Sequence, residues 1–319
     1  MQGINAGVRI LFRVQAGAVF GGLMIRSVIA VAVIAAVLAV AALWLMTVPA
    51  TPVNALAPHT PDLANGREMF YAGGCSSCHA LPKQKDDTRL GGGLSLNSPF
   101  GTFYIPNISS DPRDGIGGWS EAQFITAMRE GVSPSGEHLY PAFPYTSYTH
   151  MSVDDLRDLF AYLKTLPPVA GEVRGHDLRF PFNIRRGVGL WKLLFFDGTP
   201  FKPDPSQTAQ WNRGAYLVNG PGHCAECHSP RNMFGAIIAD RRFTGGESPT
   251  GQGGVPNITQ FKLKNWTVQD IAGTLTDGLT PDAGLVGSVM IEVVGNTSKL
   301  TADDRTAIAV YIKSLPAKQ

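Results

Sequence analysis

The four cysteines of this chain fall in two copies of one five-residue pattern, Cys75-Ser-Ser-Cys78-His79 and Cys224-Ala-Glu-Cys227-His228. C-x-x-C-H is the attachment pattern of a c-type haem. Its spacing has a physical reason. Two thiols three residues apart on a helical turn each add to one vinyl group, and the histidine that follows lies under the porphyrin as the proximal iron ligand. No cysteine is left over for a disulfide framework. A structural zinc needs four ligands and each cluster offers three, while a thioredoxin-like pair has no use for the trailing histidine. The cysteines predict two covalently bound haem c groups, attached at Cys75, Cys78, Cys224 and Cys227, with His79 and His228 on the iron.

The rest of the chain repeats with the motifs. His79 is followed by Pro106-Asn107-Ile108, and His228 by Pro256-Asn257-Ile258. Trp119 opens a helical pattern that stops at Gly131, with Pro134 beyond; Trp266, Gly278 and Pro281 repeat that spacing. Ser120 and Thr267 are the expected N-caps. Closing helices are predicted from Ser152 to Pro167 and from Thr301 to Pro316, each with an N-cap hydroxyl, acids in the first turn and a terminal Lys. The glycine-rich loops (91–93 and 245–254) show no secondary-structure period and read as chain ordered on the cofactor. Each unit resembles a class I cytochrome c domain. The predicted fold is therefore mainly α, an N-terminal transmembrane helix followed by two tandem class I cytochrome c domains, with few strands.

Six segments follow: 1–26 cytoplasmic or interfacial, 27–48 transmembrane anchor, 49–61 proline-rich spacer, 62–167 first domain, 168–205 strap, 206–319 second domain. Ser27 to Val48 is 22 residues without a charge, enough to span a hydrocarbon core. Arg9, Arg13 and Arg26 precede it with no acid among them, which puts the N-terminus in the cytoplasm and the remainder in the periplasm of a bacterial inner membrane. Trp44 suits an interfacial anchor. A cleaved leader is the rival reading, with Ala55-Leu56-Ala57 resembling a cleavage site. The strap holds Phe180, Phe182, Arg185, Arg186 and an apolar run from Gly187 to Phe196. It reads either as packing between the units or as a docking surface.

Electron-transfer haems commonly take a sixth, methionine ligand. In the second unit Met290 is the candidate distal ligand, and Met233 reads as core. In the first unit the matching positions are Pro141 and Phe143. Met151 is the tentative distal ligand there. A core role in the place of Leu300, ligation by His150 or His138, and an open iron all stay alternatives. Met128 reads as core. Trp119 and Trp266 read equally as propionate donors or core anchors. His223 is expected exposed, and His138 and His150 solvated.

Charged residues make up 16% of the chain, against about 25% in soluble domains. The deficit is concentrated in the N-terminal span. Net charge is +2, with no basic stripe, which excludes nucleic acid as a partner. Residues 62–167 hold 8 basic and 12 acidic side chains, and 168–319 hold 16 and 13. No catalytic triad, phosphate loop, flavin fingerprint or paired catalytic carboxylates occur, so no catalytic residue is assigned.

The stretches 107–119 and 136–148, with Gly222 to Arg231 and Glu292 to Asn296, resemble the multihaem cytochrome c subunits of bacterial alcohol, gluconate and related dehydrogenases. The likeness covers about residues 62–317. It implies a subunit that takes electrons from a periplasmic dehydrogenase, or another redox protein, and passes them to quinone, a cytochrome or a terminal oxidase. Many such subunits carry three haems and this chain two; some carry Met where this chain has Phe143. The alternatives are a dihaem enzyme of the thiosulfate dehydrogenase or peroxidase kind, using an exchangeable iron, and a docking subunit of a larger respiratory complex.

Overall fold

The computed structural model describes residues 5–52, 56–84, 86–247 and 253–319. Residues 1–48 and 49–319 form two units. The first is α1 (Asn5–Met46), one helix without a break at Arg26. Within it Arg26–Met46 is long and apolar enough to cross a membrane, with exposed side chains and a mean hydropathy of 3.0. A leader sequence has the same character. Part of the Ala55-Leu56-Ala57 sequence lies outside the described residues.

The second unit is mainly helical, and its helices come in matching sets. The first set is α2 (Leu63–Ala72), α3 (Cys75–His79), α4 (Glu121–Glu130), α5 (Tyr145–Tyr148) and α6 (Val153–Thr165). Then α7 (Gly187–Phe195) lies in the strap. The second set is α8 (Ala209–Asn219), α9 (Ala225–His228), a turn α10 (Gln260–Leu263), α11 (Val268–Asp277), α12 (Met290–Thr297) and α13 (Ala302–Ser314). Local chemistry sets their ends. Ser120 and Thr267 close capping boxes with Gln123 and Asp270, and Gly131 and Gly278 stop the helices in the left-handed conformation at φ 58° and 78°. Ser152 and Thr301 cap α6 and α13 through the N–H groups of Asp155 and Asp304.

α2 packs on α6 and α8 on α13. Both crossings need glycine. A Cβ on Gly66 would stand 2.1 Å from the carbonyl oxygen of Asp158, and one on Gly214 would stand 1.9 Å from that of Ala307. The apolar core, with Met69, Phe70, Leu156, Leu163, Leu217 and Ile308, runs continuously through both sets.

Strands are few and small. β1 (Ser95–Ser98) and β2 (Gly101–Tyr104) form a hairpin that β3 (Asp177–Leu178) extends. β4 (Gly246–Glu247) pairs with β5 (Gly254–Val255). β4 and β5 correct the expectation of no secondary structure over 245–254, while 91–93 carries none; the β1–β2 hairpin follows directly after it. It is sequence-local, with Pro99 and Gly101 turning the chain, and His176 packs beneath it between Phe103 and Tyr140. The strap packs its aromatics on both sets: Phe182 on Phe100, Phe196 on Tyr145, and Phe195 on Phe234, while the Trp191 indole donates to the carbonyl of Phe234.

The sets also exchange polar contacts. The N–H of Ser152 donates to the Tyr216 hydroxyl at 3.1 Å, and that hydroxyl donates to the Asp155 carboxylate. Glu68 occupies the matching place on α2, against Thr301 and Asp304 at the start of α13, where Arg213 grips Asp304 with two bonds of 2.7 Å. Burial, then the neighbouring Asp304 carboxylate, raises Glu68 to about 7. The folded state therefore holds a proton that the unfolded chain has lost. Its contribution is fullest below the ordinary carboxylate range and is lost as pH rises through 7.

Gly66→Ala and Gly214→Ala each force backbone apart and should cost about 1–3 kcal/mol, read as a fall in unfolding midpoint. Glu68→Gln keeps a neutral group; it should flatten the pH dependence between pH 5 and 8 and be more stable than the parent at pH 8, read by urea titration.

Candidate functional site

Each cysteine turn follows a helix that ends abruptly. α2 stops at Gly73, and Gly74, at φ 55°, turns the chain into α3. α8 stops at Gly220, and His223 fills the place of Gly74 at φ 37°. A left-handed histidine costs about 1–2 kcal/mol, and here its ring has a compensating role. His223 Nε2 lies 3.2 Å from the carbonyl of Gly73, and the ring packs edge-on to Tyr148. His223 is thus half-buried between the two turns, which corrects the expectation of an exposed residue. The four thiols are free. Burial pushes Cys75 and Cys224 up to about 12 and raises Cys78 and Cys227, so all four are neutral at pH 7.

The two imidazoles are held alike. His79 Nδ1 donates to the carbonyl of Pro106 at 2.8 Å, and His228 Nδ1 to that of Pro256 at 2.7 Å. Burial outweighs the carbonyl and lowers His79 to about 4; it lowers His228 for the same reason. Both rings are neutral, with the proton on Nδ1 and the lone pair on Nε2, the tautomer an iron ligand needs. The Pro-Asn-Ile repeat explains itself here. Asn107 receives Ser109 N–H and donates to Val169; Asn257 receives Thr259 N–H and donates to Lys318. Each asparagine clamps the carbonyl turn to the chain leaving the closing helix. Free thiols beside a neutral, oriented imidazole fit a c-type haem at both turns. Among the described residues no three His, Cys, Asp or Glu side chains converge as a metal cage, so the zinc alternative has no ligand set.

Contacts reach from each set to the other set's turn. Asn296 of α12, buried, accepts from Ser76 Oγ at 3.2 Å and donates to Ser77 Oγ at 2.9 Å. In return Thr146 and Ser147 of α5 donate to Glu226 at 2.7 and 3.0 Å, and Arg231 donates to its other oxygen at 2.6 Å. Burial works to raise Glu226, but Arg231 and the hydroxyl donors overcome it, and the carboxyl sits below its ordinary range. Burial holds the Tyr148 hydroxyl well above its ordinary value, so it stays protonated beside these turns. The two turns adjoin, with a Cβ on Gly73 standing 3.7 Å from the carbonyl oxygen of Pro221.

Met290 opens α12, half-buried against the core. Met151 is 1% exposed, with its side chain against Gly220 of α8. Phe143 packs on Tyr148. His138 is buried, its Nδ1 3.2 Å from Lys192 Nζ, and half-buried His150 meets the carbonyl of Thr199 at 2.8 Å. Neither is the solvated residue expected, because the strap covers the first and Thr199 the second. Met233 is 81% exposed rather than core, and Met128 is buried in α4 as expected. Trp119 and Trp266 pack against the core. Sequence reasoning missed Glu226, Asn296, Thr146 and Ser147. Ser147 and Asn296 share one place in the repeat, a signal that was available; their partners were not.

Replacing Glu226 by Gln removes the charge that Arg231, Thr146 and Ser147 hold. The loss should be about 1.5–3 kcal/mol at pH 7. Because the folded carboxyl is lowered, its contribution is present above the ordinary carboxylate range and fades as pH falls. Chemical denaturation at pH 7 and pH 4 should therefore show a smaller acid loss in Glu226→Gln than in the parent.

Residues 63–167 match the cytochrome c family. The chain is 45% identical to a protein named diheme cytochrome c-type from Cereibacter sphaeroides over 296 residues, 92% of this chain and 99% of that one. It is 35% identical to the fructose dehydrogenase cytochrome subunit of Gluconobacter japonicus over 85% of its own length, and 34% identical to the gluconate 2-dehydrogenase cytochrome c subunit of Pantoea cypripedii over 79%. It spans only 56% and 59% of those two longer proteins. With both cysteine turns built alike and a dihaem relative matched from end to end, the chain belongs to the dihaem c-type cytochromes of the cytochrome c family.

Proposed function

We propose that this chain carries haem c at Cys75/Cys78/His79 and at Cys224/Cys227/His228, and relays electrons from a periplasmic dehydrogenase to the respiratory chain. When bound, the haem supplies reversible one-electron exchange at its iron. The chain's own residues do the rest. The cysteines anchor, the Nδ1–H bonds to Pro106 and Pro256 orient each Nε2, and Met290 offers the sixth ligand at the second site. Residues 62–167 and 206–319 act as two tandem class I domains joined by the strap at 168–205. α1 holds the unit to the inner membrane, with Arg9, Arg13 and Arg26 on the cytoplasmic side.

The observation that carries this reading is the duplicated His–Pro carbonyl bond, 2.8 and 2.7 Å, in two adjoining turns. The relatives named as a dihaem cytochrome and as dehydrogenase subunits support a dehydrogenase as donor.

One observation favours a second reading, a dihaem enzyme. No thioether stands at the first-site positions matching Met290, and Met151 is buried against Gly220, as Leu300 is buried in its own set. An exchangeable first iron would admit peroxide or thiosulfate. Met151→Leu decides between ligand and core: loss of a methionine–iron band assigns Met151 to the iron, and an unchanged spectrum leaves it in the core.

Cys224→Ala with Cys227→Ala should halve covalent haem on a denaturing gel. Met290→Ala should keep the haem but lose the methionine–iron band and lower one midpoint potential. Full haem staining in the first variant, or an unmoved potential in the second, contradicts the assignment. Two low-spin irons that do not react with peroxide or thiosulfate remove the enzymatic reading.

A further inference from the structure

The two sets of helices differ at one matching face. In the first set, α4 ends at Gly131 and leads into a short hairpin closed by the bridge between Val132 and His138. Val132 is 2% exposed and His138 5%. The strap covers them. Lys192 Nζ donates to the carbonyls of Glu130 and Gly131, at 2.5 and 2.8 Å, capping the end of α4. Arg185 donates to the carbonyl of His138 at 3.1 Å, and Tyr140 donates to that of Phe182 at 2.9 Å. The covering segment, residues 178–196, contains Arg179, Arg185, Arg186 and Lys192 and no acid.

In the second set α11 ends at Gly278, and the same hairpin is closed by the bridge between Leu279 and Leu285. Here the matching residues are 52% and 75% exposed. Among the described residues no strap lies over them. The last turn of α11 has no basic residue and ends on the exposed Asp277. From 265 to 298 the sequence holds Asp270, Asp277, Asp282 and Glu292 and no Lys, Arg or His. Helix C-terminal carbonyls beside a carboxylate attract a cation, and the leucines favour an apolar cover.

We propose that this face docks a basic, apolar segment of a partner polypeptide, which sets a Lys or Arg on the carbonyls of Asp277 and Gly278 as Lys192 does on Glu130 and Gly131. Asp277 at the helix end and Asp282 in the hairpin, both exposed, repel an anionic surface, which argues against lipid. A second copy of this chain has its own strap engaged on its first set, which argues against self-association. The proposal deepens the relay reading and rests on it for the partner's role: it names the face where the redox partner grips.

The test places a photo-crosslinking residue at Leu285 of the full haem-loaded chain in native membranes, with exposed Leu94 of the first set as control. One polypeptide adduct is expected at 285 and none at 94. The crosslinked peptide should be apolar with a Lys or Arg, and changing that residue to Glu should remove the adduct. In the cytochrome, Leu279→Lys should cut the adduct at least tenfold, Leu279→Met should retain it, and neither should move haem content or midpoint potentials. An adduct to lipid or to a second copy, no adduct, or an adduct indifferent to Leu279→Lys overturns the proposal. A parent chain without haem would instead overturn the relay reading, so the two failures are told apart.

Discussion

The arrangement of the site depends on hydrogen bonds that each cysteine turn makes to a short helix of the other set. Asn296 takes hold of Ser76 and Ser77, and Thr146 and Ser147 take hold of Glu226. Each turn is short, follows a glycine-terminated helix, and is held within its own set by its histidine's bond to Pro106 or Pro256. Each is also held by the short helix that precedes the other set's closing helix. His223 adds a fifth bond across the same seam, to Gly73. A turn held from outside its own set cannot shift without disturbing its twin, which couples the positions of His79 and His228. That is what a relay asks of a protein: fixed distance between two carriers, with no moving part.

The exchange is symmetric in place and asymmetric in charge. The first turn offers neutral Ser77 to neutral Asn296, whereas the second offers the buried carboxylate of Glu226 to two hydroxyls and Arg231. The same pattern recurs at the helix starts, where Tyr216 and Glu68 fill matching places against α6 and α13. A duplicated scaffold has thus been filled with different polar groups, and the two sites stand in different electrostatic surroundings although their backbones agree. The strap extends the asymmetry to the surface, since it covers the α4 hairpin and leaves the α11 hairpin exposed.

Much of this was legible in the sequence because the signals were local. C-x-x-C-H, the capping residues Ser120 and Thr267, and the stops at Gly131 and Gly278 each act within one turn of chain, and each repeats. Gly66 and Gly214 look like ordinary helix glycines until the crossing with α6 or α13 is known. The grip on Glu226 joins residues 79 and 80 positions apart, and no spacing rule reaches that far. His138 and His150 look like solvated loop residues for the same reason: the strap and Thr199 that enclose them arrive from about fifty residues downstream. Met151 shows the limit from the other side. Its place just before the closing helix suits a ligand, and its burial against Gly220 suits a core residue.

The central claim is that this chain is an electron carrier with two redox centres. A reductive titration of the purified full-length chain, counting electrons taken up against absorbance, tests it most directly. Two reversible one-electron steps per chain, recovered in full on reoxidation, are the predicted result. Uptake of one electron or none per chain would contradict the account.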